Sequence, residues 1–208
     1  MTHVRGIDIS ENMVQKYNDA ADSSSLSTEQ VNAVVGDLLA DEVPEHLNTP
    51  EYYDFDVAVI GLGFHHFDNP VRAVQRLNER LKPGVGVLLI IDFLPFNEEQ
   101  GPSSQDLQHT IKHSGFEQKN IETIFKIARF ERFSFSVIDE PAIMNMQDGP
   151  RKRQMFVARG VKEPGILGKI GNWITGMQNS AQSWQPIQYR ETPKKLGVFG
   201  ESHGKTGI

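Results

Sequence analysis

Val4-Arg5-Gly6-Ile7-Asp8-Ile9-Ser10, read with the helix that follows it, decides how this chain folds. A short apolar strand runs to an acid at Asp8. Ser10 then offers a side-chain oxygen to cap a helix, and Met13, Val14 and Tyr17 recur at helical spacing. Strand, acid, cap and helix together form the repeating unit of a parallel α/β sheet.

The unit recurs downstream. After a Ser-rich loop at Asp22–Ser27, Val31–Val35 reads as a strand ending at Gly36-Asp37. Phe55–Leu62 (F-D-V-A-V-I-G-L) is a near-continuous apolar run, as expected of a strand buried on both faces, and it stops at Gly61-Leu62-Gly63. Asp68 and Pro70 open a helix with Val71, Val74, Leu77 and Leu81 on one face, closed by Lys82-Pro83-Gly84. Val85–Phe93 is the next buried strand, and Ile121, Ile124, Phe125 and Ala128 mark another amphipathic helix. Phe133, Phe135 and Val137 alternate as a strand, Gln147-Asp148-Gly149-Pro150 marks a turn, and Gln154–Ala158 is the last strand of the body. The expectation is a Rossmann-like, mostly parallel sheet that closes with an antiparallel pair, with strands at about 4–9, 31–35, 56–62, 85–93, 132–138 and 154–159.

With 208 residues the chain has room for one domain and an appendage. Residues 1–160 form the expected domain. The 161–208 segment reads as a loosely packed tail without a strand pattern, since nine of the eighteen glycines stand from Gly160 onward. Ile166, Leu167, Ile170, Trp173, Ile174 and Met177 make a short amphipathic stripe there, which could meet a membrane surface or a partner helix but is better explained by docking on its own domain. The net charge of −6 divides unevenly, +3 over residues 160–208 and −9 over the rest. An acidic body argues against a nucleic-acid partner. No cysteine, no signal-type start and no apolar run of spanning length together point to a soluble, cytoplasmic protein.

In open parallel sheets ligands lie beyond the carboxyl ends of the strands, here Asp8, Asp37, Gly61–His66 and Asp92. Both oxygens of a carboxylate accept, so Asp8 suits the vicinal hydroxyls of a ribose. Asp37 suits an adenine amine, with Leu38 or Leu39 as an apolar wall. Either acid alone is better explained by capping. Two at adjacent strand ends indicate a nucleoside.

The ordered set G-I-D-I-S-E-N-M-V, V-V-G-D-L-L, F-D-V-A-V-I-G-L-G-F-H-H-F and R-L-K-P-G-V-G-V-L-L-I-I-D-F resembles a class I S-adenosylmethionine-dependent methyltransferase over Val4–Gly160, and His113–Phe116 with Met155–Gly160 resembles its small-molecule members. The resemblance implies the strand order three-two-one-four-five-seven-six and S-adenosylmethionine as cofactor. It further implies Asp8 with Ile9 at the ribose, Asp37 with Leu38 at the adenine, Gly61 and Leu62 near the methionine end, and a small-molecule methyl acceptor. The family's glycine-rich D/E-x-G-x-G-x-G loop and the strand before it should precede Gly6, and neither is there. The first βα unit is therefore expected to be missing, as in a truncated product, leaving a gap of about 10 Å in mid-sheet with unpaired backbone.

His65 and His66 follow the central strand and are the candidate catalytic residues, since a histidine titrates where an acceptor proton must be removed. A histidine that simply hydrogen-bonds the adjoining loop fits equally well. As sequence neighbours the two should point apart, and with His109 and His113 they supply no third ligand, so no metal is expected. A catalytically silent, methyltransferase-like binding subunit, its sheet completed by a protein partner or a second copy, is the alternative. A nicotinamide dehydrogenase ranks last. Four residues beyond Tyr17, Tyr52, Tyr53 and Tyr189 stand Ala21, Asp56, Val57 and Pro193, none of them the lysine that short-chain enzymes pair with tyrosine.

Overall fold

Two apolar runs build the middle of the sheet. In the computed structural model, which describes residues 3–96, 112–146, 149–165 and 195–199, they are the adjacent parallel strands β3 (Val57–Gly61) and β4 (Val87–Phe93). Ile60, Leu88 and Ile90 are almost wholly buried there. The other strands are β1 (His3–Asp8), β2 (Val31–Val35), β5 (Phe130–Val137), β6 (Ala142–Met146), β7 (Gly149–Arg153), β8 (Met155–Lys162) and β9 (Lys195–Phe199). The main helices are α1 (Glu11–Ser23), α2 (Pro70–Arg80) and α3 (Gln118–Ile127).

Local signals explain the helices. Ser10 caps α1 by accepting the Met13 N–H at 3.4 Å, and Asn69 caps α2 by accepting the Arg72 N–H at 3.0 Å. The α2 stripe buries Ala73, Val74 and Leu77, and Leu81 just beyond it. The α3 stripe buries Ile121, Ile124 and Phe125, followed by Ala128. Gly160 in β8 lets α3 come close, since a Cβ there would stand 2.5 Å from Cδ1 of Phe125. Arg80 is buried because its guanidinium donates to the carbonyls of Leu47 (2.7 Å) and Tyr52 (3.2 Å), tying the loop before β3 to the core.

The seven-stranded sheet runs β2-β1-β9-β3-β4-β8-β5. All pairs are parallel except β4 with β8 and β8 with β5. The expected strands are present, and so is the antiparallel closure.

Two expectations need correcting. The slot between β1 and β3 is filled, so neither a gap nor a missing first strand describes the sheet. A tail without strands is wrong as well, for β9 comes from that segment. It pairs in parallel with β1 (His3 opposite Lys195, Ile7 opposite Phe199) and with β3 (Val57 opposite Leu196, Ile60 opposite Phe199). The reason is physical: two parallel strands with unpaired backbone at a sheet centre form a template that a short segment satisfies on both sides. β6 and β7, on either side of residues 147 and 148, pair as an antiparallel ribbon outside the main sheet. The stripe at Ile166–Met177 and the residue His109 lie outside the described residues.

Candidate functional site

The parallel strands present their carboxyl ends to one edge, and a cleft opens there. Its lining comes from the tips of β1 and β2 (Asp8, Ile9, Gly36–Leu39), from Ile60, and from the His66–Asn69 loop with the start of α2. At about 330 Å³ it falls in the range of small-ligand sites.

Asp8 stands half-buried at its rim. One oxygen accepts the Ser10 N–H at 2.7 Å. Burial pushes its pKa above the ordinary value, and the hydrogen bond from Ser10 opposes that only in part. Acceptor capacity remains on the carboxylate. Asp37 is exposed and accepts the Leu39 N–H at 2.7 Å, which turns the β2 tip so that Leu38 packs inward, 7% exposed. Ile9, by contrast, is 60% exposed on the cleft margin.

Gly61 and Leu62 end β3 but do not line this cleft. No described atom lies within 4 Å of where a Gly61 Cβ would be. Leu62 takes a left-handed backbone, φ 55°, held by its N–H donating to the Ile91 carbonyl at 2.8 Å. That turn sends the chain into the short 3-10 turn Phe64–His66.

The turn brings the two histidines together, contrary to the expectation that they diverge. Their ring centroids are 4.0 Å apart at 40°. Neighbours alternate sides only in extended backbone, and a 3-10 turn removes that alternation. Their surroundings differ. His65 is 4% exposed, and its Nδ1–H donates to Asp92 Oδ1 at 2.8 Å while its backbone N–H donates to Asp92 Oδ2 at 3.1 Å. His65 is therefore a buried histidine bonded across to the end of β4 rather than to its adjoining loop. His66 alone of the pair faces the cleft.

Sequence reasoning missed two contributors. Arg72 lines the cleft from α2, with Nη1 on Asp41 Oδ1 at 2.9 Å and Nη2 on the Ala40 carbonyl at 2.7 Å, bracing the β2 side against the helix. The Asn-Pro helix start was its only local signal. Asp92 was noticed as a strand end, but its bond to His65 links residues 27 apart, beyond any spacing rule. Among the described residues there is no group of three side chains suited to a metal, and no helix long and apolar enough to cross a membrane.

With β9 in the slot of the family's first strand, the sheet order is the three-two-one-four-five-seven-six expected from the sequence. A family model described as a methyltransferase domain matches residues 1–87. In that match and in its sheet order the chain is similar to S-adenosylmethionine-dependent methyltransferases. An uncharacterized methyltransferase of Schizosaccharomyces pombe is 28% identical over 127 residues, which make up 59% of this chain and 44% of the relative. The chain thus spans less than half the length of that curated relative. Among solved structures, an S-adenosylmethionine-dependent methyltransferase of Methanosarcina mazei superposes with a TM-score of 0.56 at 20% identity, covering 78% of this chain and 83% of that one. Phosphoethanolamine N-methyltransferase 2 of Haemonchus contortus, solved with S-adenosylmethionine, gives 0.52 at 15% identity, covering 77% and 43%. At these identities the likeness is one of fold, and S-adenosylmethionine is the cofactor of methyltransferases built on it.

Proposed function

We propose that the cleft binds S-adenosylmethionine and that the chain transfers its methyl group to a small-molecule acceptor. The observation that carries this reading is the pair of acid-tipped parallel strands flanking one cleft, Asp8 with acceptor capacity to spare and Asp37 beside an inward-packed Leu38. Asp8 accepts from the ribose hydroxyls with Ile9 beside it. Asp37 meets the adenine amine while Leu38 covers the ring, and the methionine end reaches out of the cleft toward Gly61 and Leu62 at the β3 tip.

In the transfer, a lone pair of the acceptor attacks the methyl carbon in line. The carbon–sulfur bond breaks with its electron pair going to sulfur, and the sulfonium becomes the neutral thioether of S-adenosylhomocysteine. Positioning supplies most of the rate. An acceptor that must also lose a proton gives it to His66, which faces the cleft, while His65 supports the His66 ring from behind.

Calorimetry with S-adenosylhomocysteine tests the reading, and no detectable heat at millimolar ligand would sink it. The role of His66 is tested separately. His66→Ala should slow transfer to proton-losing acceptors about 100-fold or more while leaving S-adenosylhomocysteine affinity within about threefold. An equal loss in both would make it a binding residue instead.

A further inference from the structure

The slot between β1 and β3 is closed by a strand whose partners are the most distant in sequence of any in the sheet. Lys195 lies opposite His3, and Leu196 opposite Val57. β9 is short, only five residues, with Gly197 at its centre, and at least 32 residues separate it from β8. A short strand with only non-local partners opens more readily than its neighbours. It nevertheless sits where the cleft is set. Phe199 pairs with Ile7 and Ile60, one residue short of Asp8 on one side and Gly61 on the other.

Resting on the cofactor reading above, we infer that β9 is a ligand-coupled closing strand, whose seating builds the cofactor cleft and whose release dismantles it. With β9 seated, β1 and β3 are held two strand spacings apart, about 10 Å. With β9 out, their edges either stay unpaired or move toward direct pairing at about 5 Å. Either change displaces Asp8 and Ile9, carried by β1, relative to Ile60 and the His66–Asn69 loop, which follow β3. A ligand that spans both sides of the cleft therefore binds the seated state and not the open one. Binding one state of such an equilibrium suppresses the other by the factor 1 + [L]/Kd, about 100-fold at 100 times Kd. Charge favours seating too, since residues 163–208, which carry β9, are net +2 and the rest of the chain −8.

Hydrogen exchange of the full chain, with and without S-adenosylhomocysteine at 100 times its Kd, reads this directly. Exchange over 195–199 should be faster than over 87–93 in the free protein, and should slow by up to about 100-fold with ligand. A second variant places proline in the strand. Val198→Pro removes a ladder hydrogen bond from a strand paired on both sides, and should weaken S-adenosylhomocysteine binding at least tenfold while the protection of 87–93 and 155–162 persists. If wild type binds the ligand but exchange over 195–199 does not change, the coupling is overturned and the cofactor reading stands. Undiminished binding by Val198→Pro has the same meaning. If wild type binds no S-adenosylhomocysteine, the cofactor reading falls and the coupling falls with it. Should the proline variant unfold, the wild-type exchange comparison decides alone.

Discussion

Asp8 and Asp92 each sit near the carboxyl end of a parallel strand in one sheet, and they are put to opposite uses. Asp92 is wholly buried and saturated by its own chain. Its oxygens accept from the His65 ring, from the His65 backbone and from the Phe93 N–H at 2.7 Å. Asp8 is half-buried, accepts one backbone N–H, and borders the cleft. A strand-end acid whose acceptor capacity is spent internally holds the fold, and one whose capacity is left over is available to a ligand. The contrast also explains why the pKa of Asp8 is raised by burial with only one hydrogen bond in opposition.

The hardest test of this contrast is Asp92→Ala. It leaves three buried donors without their acceptor and should cost about 3–5 kcal/mol in urea unfolding. A loss under 1 kcal/mol would mean that the buried pair contributes little.

Next in size is Asp8→Asn, which should weaken S-adenosylhomocysteine binding about 10- to 100-fold, the worth of hydrogen bonds to a charged acceptor. Unchanged affinity would remove Asp8 from the site.

The same variant sharpens the contrast through pH. Asp8 has a folded pKa above its unfolded one, so its favourable contribution to stability is complete below the unfolded value, near 3.8, and is lost as pH rises through the folded value. Above that window the wild type carries a burial cost that Asn lacks. Asp8→Asn should therefore equal or slightly exceed the wild type in stability at neutral pH, with the gap closing as pH falls through the window. A variant that is less stable at neutral pH would show that Asp8 also holds the fold.

Smallest is Gly61→Ala, with no described atom near its Cβ. Stability should move by less than about 1 kcal/mol. A drop in S-adenosylhomocysteine affinity would place the ligand against the β3 tip.

Much of this was legible from the chain itself. β3 and β4 announce themselves as apolar runs, α2 and α3 by their stripes, and β5 by Phe133, Phe135 and Val137. The acids that border the cleft stood out because each ends a strand. What escaped was non-local or poorly patterned. In β6 and β7, A-I-M-N-M and G-P-R-K-R carry no apolar alternation, because that ribbon stands outside the main sheet. β9, K-L-G-V-F, is short and broken by glycine, and its partners lie more than 130 residues away, so only the vacant slot specifies it. The close ring contact of His65 with His66 was hidden by the 3-10 turn, and the bond to Asp92 by a sequence separation of 27 residues.

The placement of β9 also sets a schedule for synthesis. β1 leaves the ribosome well before β9, and the strand that must lie beside it follows about 190 residues later. At about 5–20 residues per second, the inner edges of β1 and then β3 wait on the order of 10–40 s without their shared partner. During that interval the nascent chain carries two open parallel edges, each a template for mispairing until β9 arrives.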